Sequence, residues 1–160
     1  KVYSYGHRNP QGLDLSPDGK IYLHEHGPKG GDELNLITKG ANYGWPAVTY
    51  GDNYSGAYVS PLKEAPGTLQ PLHYWVPSIA PSGLLVYSGK MFPEWQGDFL
   101  VGALVDNEVR RLDLQGDTIA SEQALFSELG KRIRDIREAP DGSIFILTDG
   151  EKGSVVRISR

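Results

Sequence analysis

Ser16-Pro17-Asp18-Gly19-Lys20-Ile21-Tyr22-Leu23 returns 123 residues later as Ala139-Pro140-Asp141-Gly142-Ser143-Ile144-Phe145-Ile146. In each copy an Asp-Gly pair separates two short β-rich runs, a strong hairpin signal because glycine accepts the backbone of a tight turn. Gly12–Leu15 leads into the first turn and Ile133–Glu138 into the second. A repeat at this distance reads as three units of about 41 residues or as two longer ones.

Counting strands decides between them. Between the copies lie Glu33–Ile37, Gln70–Val76, Gly83–Tyr87, Phe99–Leu104, Glu108–Leu112 and Gln123–Phe126, and Ser154–Ile158 follows the second copy. No stretch carries apolar residues at helical spacing over three turns, so the fold class is all-β. In order, the strands make one four-stranded unit, a second, and then three strands. Gly40 to Leu69 is an excursion too rich in Gly, Asn and Pro for regular sheet. Four-stranded antiparallel meanders in series describe β-propeller blades. A last unit short of one strand is expected where a ring closes with a strand from the chain's beginning. Residues 1–160 therefore read as a single domain, the C-terminal half of a propeller with an incomplete ring. Because blades bury their faces against neighbours, such a half needs either its own N-terminal half or a second copy of the chain.

Composition narrows the chemistry. Of 160 residues, 20 are glycine and 11 proline, and none is cysteine, which excludes disulfides, zinc ribbons and thiol nucleophiles. Sixteen basic against 20 acidic residues give a net charge of −4, unlike the concentrated basic surface that nucleic acid requires. No apolar run approaches the ~20 residues of a membrane-spanning helix. The opening KVYSYGHRNP has neither a basic region nor an apolar core, so no signal peptide is expected there.

The densest motifs run from Gly6 to Pro46: GHRNPQG, HEHGPKGGDELNLI and GANYGWP. Gly27-Pro28-Lys29-Gly30-Gly31 reads as a loop whose backbone carbonyls are free to face a ligand, with Asp32 and Glu33 beside them. Calcium takes six to eight such oxygens; an ordinary acidic turn is the competing reading. His24 and His26 alternate on an expected strand, but neither His7 nor His73 has the spacing of a further zinc ligand. Arg132 and Arg134 flank Ile133, so both guanidinium groups point one way, as a fork for carboxylates or as charges guarding a solvated edge strand. Repeat alignment puts them near Arg8 and Gln11, at the start of a first strand. First strands line a propeller's channel, so these arginines are expected to converge on one pocket. Tyr43, Trp45 and Tyr54 suit either stacking on a flat ligand or a core. Neither a G-x-S-x-G elbow nor a Gly-rich phosphate loop is present.

With FPEWQGDFLVGAL and KRIRDIREAPDGSIFILTD, these motifs resemble the soluble PQQ-dependent aldose sugar dehydrogenases of the glucose/sorbosone dehydrogenase family. The resemblance spans the whole chain and corresponds to the C-terminal half of a six-bladed propeller. It implies an oxidoreductase that converts the C1 hydroxyl of aldoses to lactones, with calcium-bound pyrroloquinoline quinone (PQQ), a planar tricarboxylate, as hydride acceptor. It implies PQQ contacts from Arg8, Asn9 and Tyr54, and from Ala103, Leu104, Val105, Arg132, Ile133 and Arg134 through backbone or side chain. The carbonyls of Gly27 and Pro28 would ligate the calcium held by PQQ; the Glu33 carboxylate and Tyr43 carbonyl would ligate a structural calcium. A periplasmic or extracellular location follows from the family alone. Val105 stands where the family usually has a lysine, and the family's general-base histidine lies in the N-terminal half. The chain by itself is therefore expected to be inactive. Two rivals are a non-catalytic calcium-binding propeller module and a sugar-lactonase-like hydrolase.

Overall fold

Among the described residues, eleven strands form three antiparallel sheets. The computed structural model describes residues 1–55 and 59–160. The first sheet is β1 (Pro10–Leu15), β2 (Ile21–Glu25), β3 (Asp32–Ile37) and β4 (His73–Trp75), paired in chain order. The second, also in order, is β5 (Pro81–Val86), β6 (Phe99–Ala103), β7 (Glu108–Gln115) and β8 (Thr118–Leu125). The third joins β9 (Ile133–Glu138), β10 (Ile144–Thr148) and β11 (Val155–Ile158). Every expected strand forms, with ends shifted by a few residues. Among the described residues, no helix is long and apolar enough to cross a membrane.

Both Asp-Gly turns close identically. Ser16 N–H donates to the Lys20 carbonyl and Gly19 N–H to Ser16; Ala139 and Gly142 do the same toward Ser143 and Ala139. Gly19 and Gly142 sit at φ +82° and +88°, which explains why glycine recurs there.

Burial explains why the sheets differ in sequence. The second sheet is packed on both faces, so Leu84-Leu85-Val86 and Phe99-Leu100-Val101 are continuous apolar runs without alternation. Leu84, Val86, Phe99 and Val101 meet Tyr22, Leu34 and Trp75 of the first sheet. Leu85 and Leu100 turn the other way, onto Ile133, Ile136, Ile144 and Ile146 of the third. The third sheet has one such covered face, and a register shift between β9 and β10 lets Ile133 and Ile136, three residues apart, both be buried while Arg134 and Arg137 are exposed. The long excursion after β3 caps part of the first sheet's other face, where Tyr43 packs on Leu23 and Ile37.

The first strands of the sheets lie side by side, β1 against β5 and β5 against β9. A Cβ on Gly12 would fall 2.8 Å from the Leu84 Cβ, and one on Gly83 would fall 2.6 Å from the Ile136 nitrogen. Side-chain bonds join starts to starts and ends to ends. Ser82 Oγ donates to the Ile133 carbonyl, whereas Val86 N–H donates to Asp14 and Ser88 N–H to Glu138. The three strands therefore run parallel, and their starting residues open at one mouth of a β-propeller.

Candidate functional site

Two short segments meet at that mouth: the lead into β1 and the loop after β2. His26 N–H donates to the Asn9 carbonyl at 3.0 Å and so ties them together. The Arg8 guanidinium reaches back to the His26 carbonyl at 3.2 Å and lies 5.4 Å from the Trp45 ring centre. No carboxylate forms an ion pair with this guanidinium among the described residues, so its positive charge stays unneutralised.

The loop from Gly27 to Gly31 is anchored by Asp32, which is fully buried. Its carboxylate accepts from Gly27 N–H at 3.0 Å, Ala80 N–H at 3.0 Å and the Ser78 hydroxyl. Asp32 thus serves as a loop anchor rather than as the free oxygen donor suggested by its position in the motif. The Lys29 and Asp52 backbones exchange two hydrogen bonds, closing the far side. The carbonyls of Gly27 and Pro28 accept no hydrogen bond from any described residue, as a ligating carbonyl requires.

These segments wall a cavity of about 710 Å³, within the range of small-ligand sites. Arg8, Asn9, Gly27, Pro28, Tyr54 and Val105 all line it, with Lys29 as a second cation. His26 also lines it, its Nε2 bonded to the Pro81 carbonyl at 2.7 Å.

Other expected residues lie elsewhere. Ala103 and Leu104 are buried behind Val105, so their side chains face the protein interior. Ile133 is fully buried among the β9–β10 isoleucines, and its carbonyl is taken by Ser82. Arg132 and Arg134 do point the same way, but both grip Asp149, at 3.2 and 2.6 Å, and neither lines the Arg8 cavity. Those two arginines hold Asp149 below its usual carboxylate range, Arg134 most strongly.

A second, tighter pocket lies behind Arg8, lined by Glu25, Glu33 and Tyr43 among others. Its free volume of about 10 Å³ has room for roughly one water or ion. Glu25 and Glu33 are register partners across β2 and β3, so a buried and a half-buried carboxylate share this spot. Burial pushes Glu33 up to about 7, with the neighbouring Glu25 charge adding to it. The Asn35 amide Nδ2 donates to both carboxylates, at 3.5 Å to Glu25 and 3.3 Å to Glu33. Tyr43 spends its hydroxyl on the Leu36 carbonyl at 2.6 Å and the Thr38 N–H, leaving its own carbonyl for other use. Among the described residues no group of three His, Cys, Asp or Glu side chains gathers, so a cation here needs backbone and amide oxygens as well.

The family model for Glucose / Sorbosone dehydrogenase matches residues 1–157. The chain belongs to the glucose/sorbosone dehydrogenase family. This dehydrogenase-family chain is 43% identical to the aldose sugar dehydrogenase YliI of Escherichia coli, over 99% of its own length and 44% of the relative's. A crystal structure of a glucose dehydrogenase superposes with a TM-score of 0.95 at 48% identity, covering 99% of this chain and 47% of that one. The PQQ-bound aldose sugar dehydrogenase of Streptomyces coelicolor superposes with a TM-score of 0.77 at 26% identity, covering 99% and 45%. The chain spans less than half the length of these relatives.

The histidines of this dehydrogenase-family chain have separate duties. His7 bonds Glu25, His73 bonds Glu122, and His24 is a core residue whose ring nitrogens lack partners. Burial lowers His24 to about 4, so it stays neutral. The sequence reading missed Glu25 and Asp32 as anchors of the mouth. The signal for Glu25 was its register opposite Glu33, which appears only once β2 and β3 are paired.

Proposed function

We propose that this chain supplies one wall of a PQQ and calcium site in a six-bladed propeller enzyme that oxidises the C1 hydroxyl of aldoses to lactones. The observation that carries this reading is the shared cavity. One uncompensated arginine, an asparagine, two free carbonyls and an exposed tyrosine meet in a volume suited to a flat, triply acidic ligand. When bound, PQQ accepts the hydride leaving C1 and its calcium polarises the quinone. The chain's residues bind and orient. Arg8, held between a carbonyl and an indole, presents a planar fork to a carboxylate. Gly27 and Pro28 offer carbonyl oxygens to a divalent cation. Tyr54 provides an aromatic side wall.

The Glu33 carboxylate and the Tyr43 carbonyl would hold a structural calcium, because two carboxylates this close and poorly solvated need a cation or a proton. Ala103–Val105 and the Arg132–Arg134 segment would complete the cofactor's surroundings from the neighbouring first strands. Arg132 and Arg134 would have to give up part of their hold on Asp149 to do so. The alcohol proton would go to a histidine base outside this chain. The remaining blades would come from an N-terminal half or from a second copy, in a periplasmic or extracellular setting.

A calcium-binding propeller module without turnover is the second reading, favoured by Val105, an apolar side chain 58% exposed at the cavity. PQQ and calcium added to the purified protein separate the two, with quinone absorbance and glucose-dependent dye reduction as readouts. Uptake with dye reduction by the complete propeller supports the dehydrogenase. Calcium binding without PQQ uptake favours the module, and lactone hydrolysis favours a hydrolase.

A further inference from the structure

We infer that Glu25 is the positioning residue of the mouth: its carboxylate clamps the Arg8–Asn9 peptide and so aims both side chains into the cavity. The inference rests on the cofactor reading above for its binding consequence, and on geometry alone for the clamp. Glu25 is 4% exposed at the end of β2 and does not line the 710 Å³ cavity. One of its oxygens accepts the N–H groups of two successive residues, Arg8 and Asn9, the latter at 3.1 Å. Two adjacent N–H groups converging on one anionic oxygen fix the peptide between them.

The other oxygen is held by His7 Nδ1 at 2.9 Å, and His7 is held in turn. Its Nε2 meets the Ser4 hydroxyl at 2.9 Å and its ring stacks on Tyr43, centroids 4.6 Å apart. Glu25 therefore cannot swing without disturbing a chain of four groups. The Arg8 side chain leaves this fixed backbone toward His26 and Trp45, and Asn9 follows into the cavity. Where the repeat places Thr148 in the third sheet, a hydroxyl accepts from Ser154 N–H at 2.8 Å instead.

The test uses the intact protein that carries this chain. Glu25→Gln keeps the shape but loses the charge and replaces one acceptor by a donor. Hydrogen exchange at the Arg8 and Asn9 amides should rise about 100-fold, with the Leu34 and Val101 amides unchanged. The Kd for PQQ in the presence of calcium should rise about tenfold. His7→Asn removes one hold on the carboxylate and should raise that Kd about threefold. If Glu25→Gln does not fold, His7→Asn and the wild-type exchange pattern decide the matter. Arg8 and Asn9 amides exchanging in the wild type as fast as exposed Asn53 overturn the clamp. So do unchanged exchange and a Kd within twofold in the variants. Wild-type protein that takes up no PQQ removes the cofactor reading, while the amide protection still judges the clamp.

Discussion

The hairpins at Asp18-Gly19 and Asp141-Gly142 share a turn but end differently. In the first sheet β2 finishes on Glu25, paired with Glu33 across a loop of seven residues. In the third, β10 finishes on Thr148, paired with Ser154 across a loop of five. The longer loop leaves free carbonyls and places an acid pair behind them. Beside it, the Arg8 guanidinium meets a carbonyl and an indole and, among the described residues, no carboxylate, whereas Arg132 and Arg134 face Asp149, which neutralises part of their charge. One scaffold thus carries a charged, open mouth in one sheet and a closed, balanced end in another. The loops differ by two residues, and Glu25, His26 and Glu33 stand where the third sheet has Thr148, Asp149 and Ser154.

Core burial gives the largest expected contrast between the copies. Ile144 is fully buried, so Ile144→Ala should cost about 3 kcal/mol in urea unfolding. Its counterpart Ile21 is only partly buried, and Ile21→Ala should cost about 1 kcal/mol. Equal losses would mean that the two hairpins are packed alike.

The acid pair comes next. Glu33 titrates higher in the folded chain than its usual value of 4.5, so folded protein binds the extra proton between about 4.5 and 7. Metal-free protein should therefore gain stability as pH falls from 7 toward 4.5, by about 2 kcal/mol. Calcium should restore stability at pH 8, and Glu33→Gln should flatten the trend. Thermal melts at pH 5 and pH 8, with and without calcium, check this. Thr148 and Ser154 give the third sheet no such response.

Smaller still is the turn itself. Gly142→Ala brings a Cβ to 2.7 Å from the Met91 nitrogen, while the same change at Gly19 meets open space. Both pay the left-handed backbone penalty of about 1 kcal/mol, and Gly142→Ala should lose about 1 kcal/mol more. The smallest effect is in acid. Asp141 is lowered to about 2, first by the Ser143 hydroxyl, and Asp18 is lowered first by Ser16. A depressed carboxylate stabilises above its unfolded value and loses that contribution as pH falls through its folded one. The second hairpin should therefore lose this contribution progressively as pH falls from about 3.8 to about 2. Carbon NMR titration of the two carboxyl groups reads this directly.

Much of this was legible in the sequence because propeller blades are local. Each strand pairs with its chain neighbour, so turn residues and short apolar runs mark them in order. Of the expected site residues, Arg8, Asn9, Gly27 and Pro28 line one cavity, because the lead into β1 and the loop after β2 lie close together. What strand alternation could not show was charge balance. Arg132 and Arg134 share a face as expected, but their partner Asp149 follows β10, on another strand's far end. Asp32 looked like a ligand from its neighbours, yet its acceptors are filled by Gly27, Ser78 and Ala80, the last two more than 40 residues away. Tyr54 lines the cavity from the long excursion after β3, where no strand pattern marks it.

The most direct test of the mouth is calcium-dependent PQQ binding to the intact protein, with Arg8→Gln and Arg134→Gln side by side. The account predicts uptake by the wild type, a loss of about 30-fold in affinity for Arg8→Gln, and a loss of about threefold for the partly neutralised Arg134. Equal losses in the two variants, or an Arg8→Gln protein that binds as the wild type does, would contradict it.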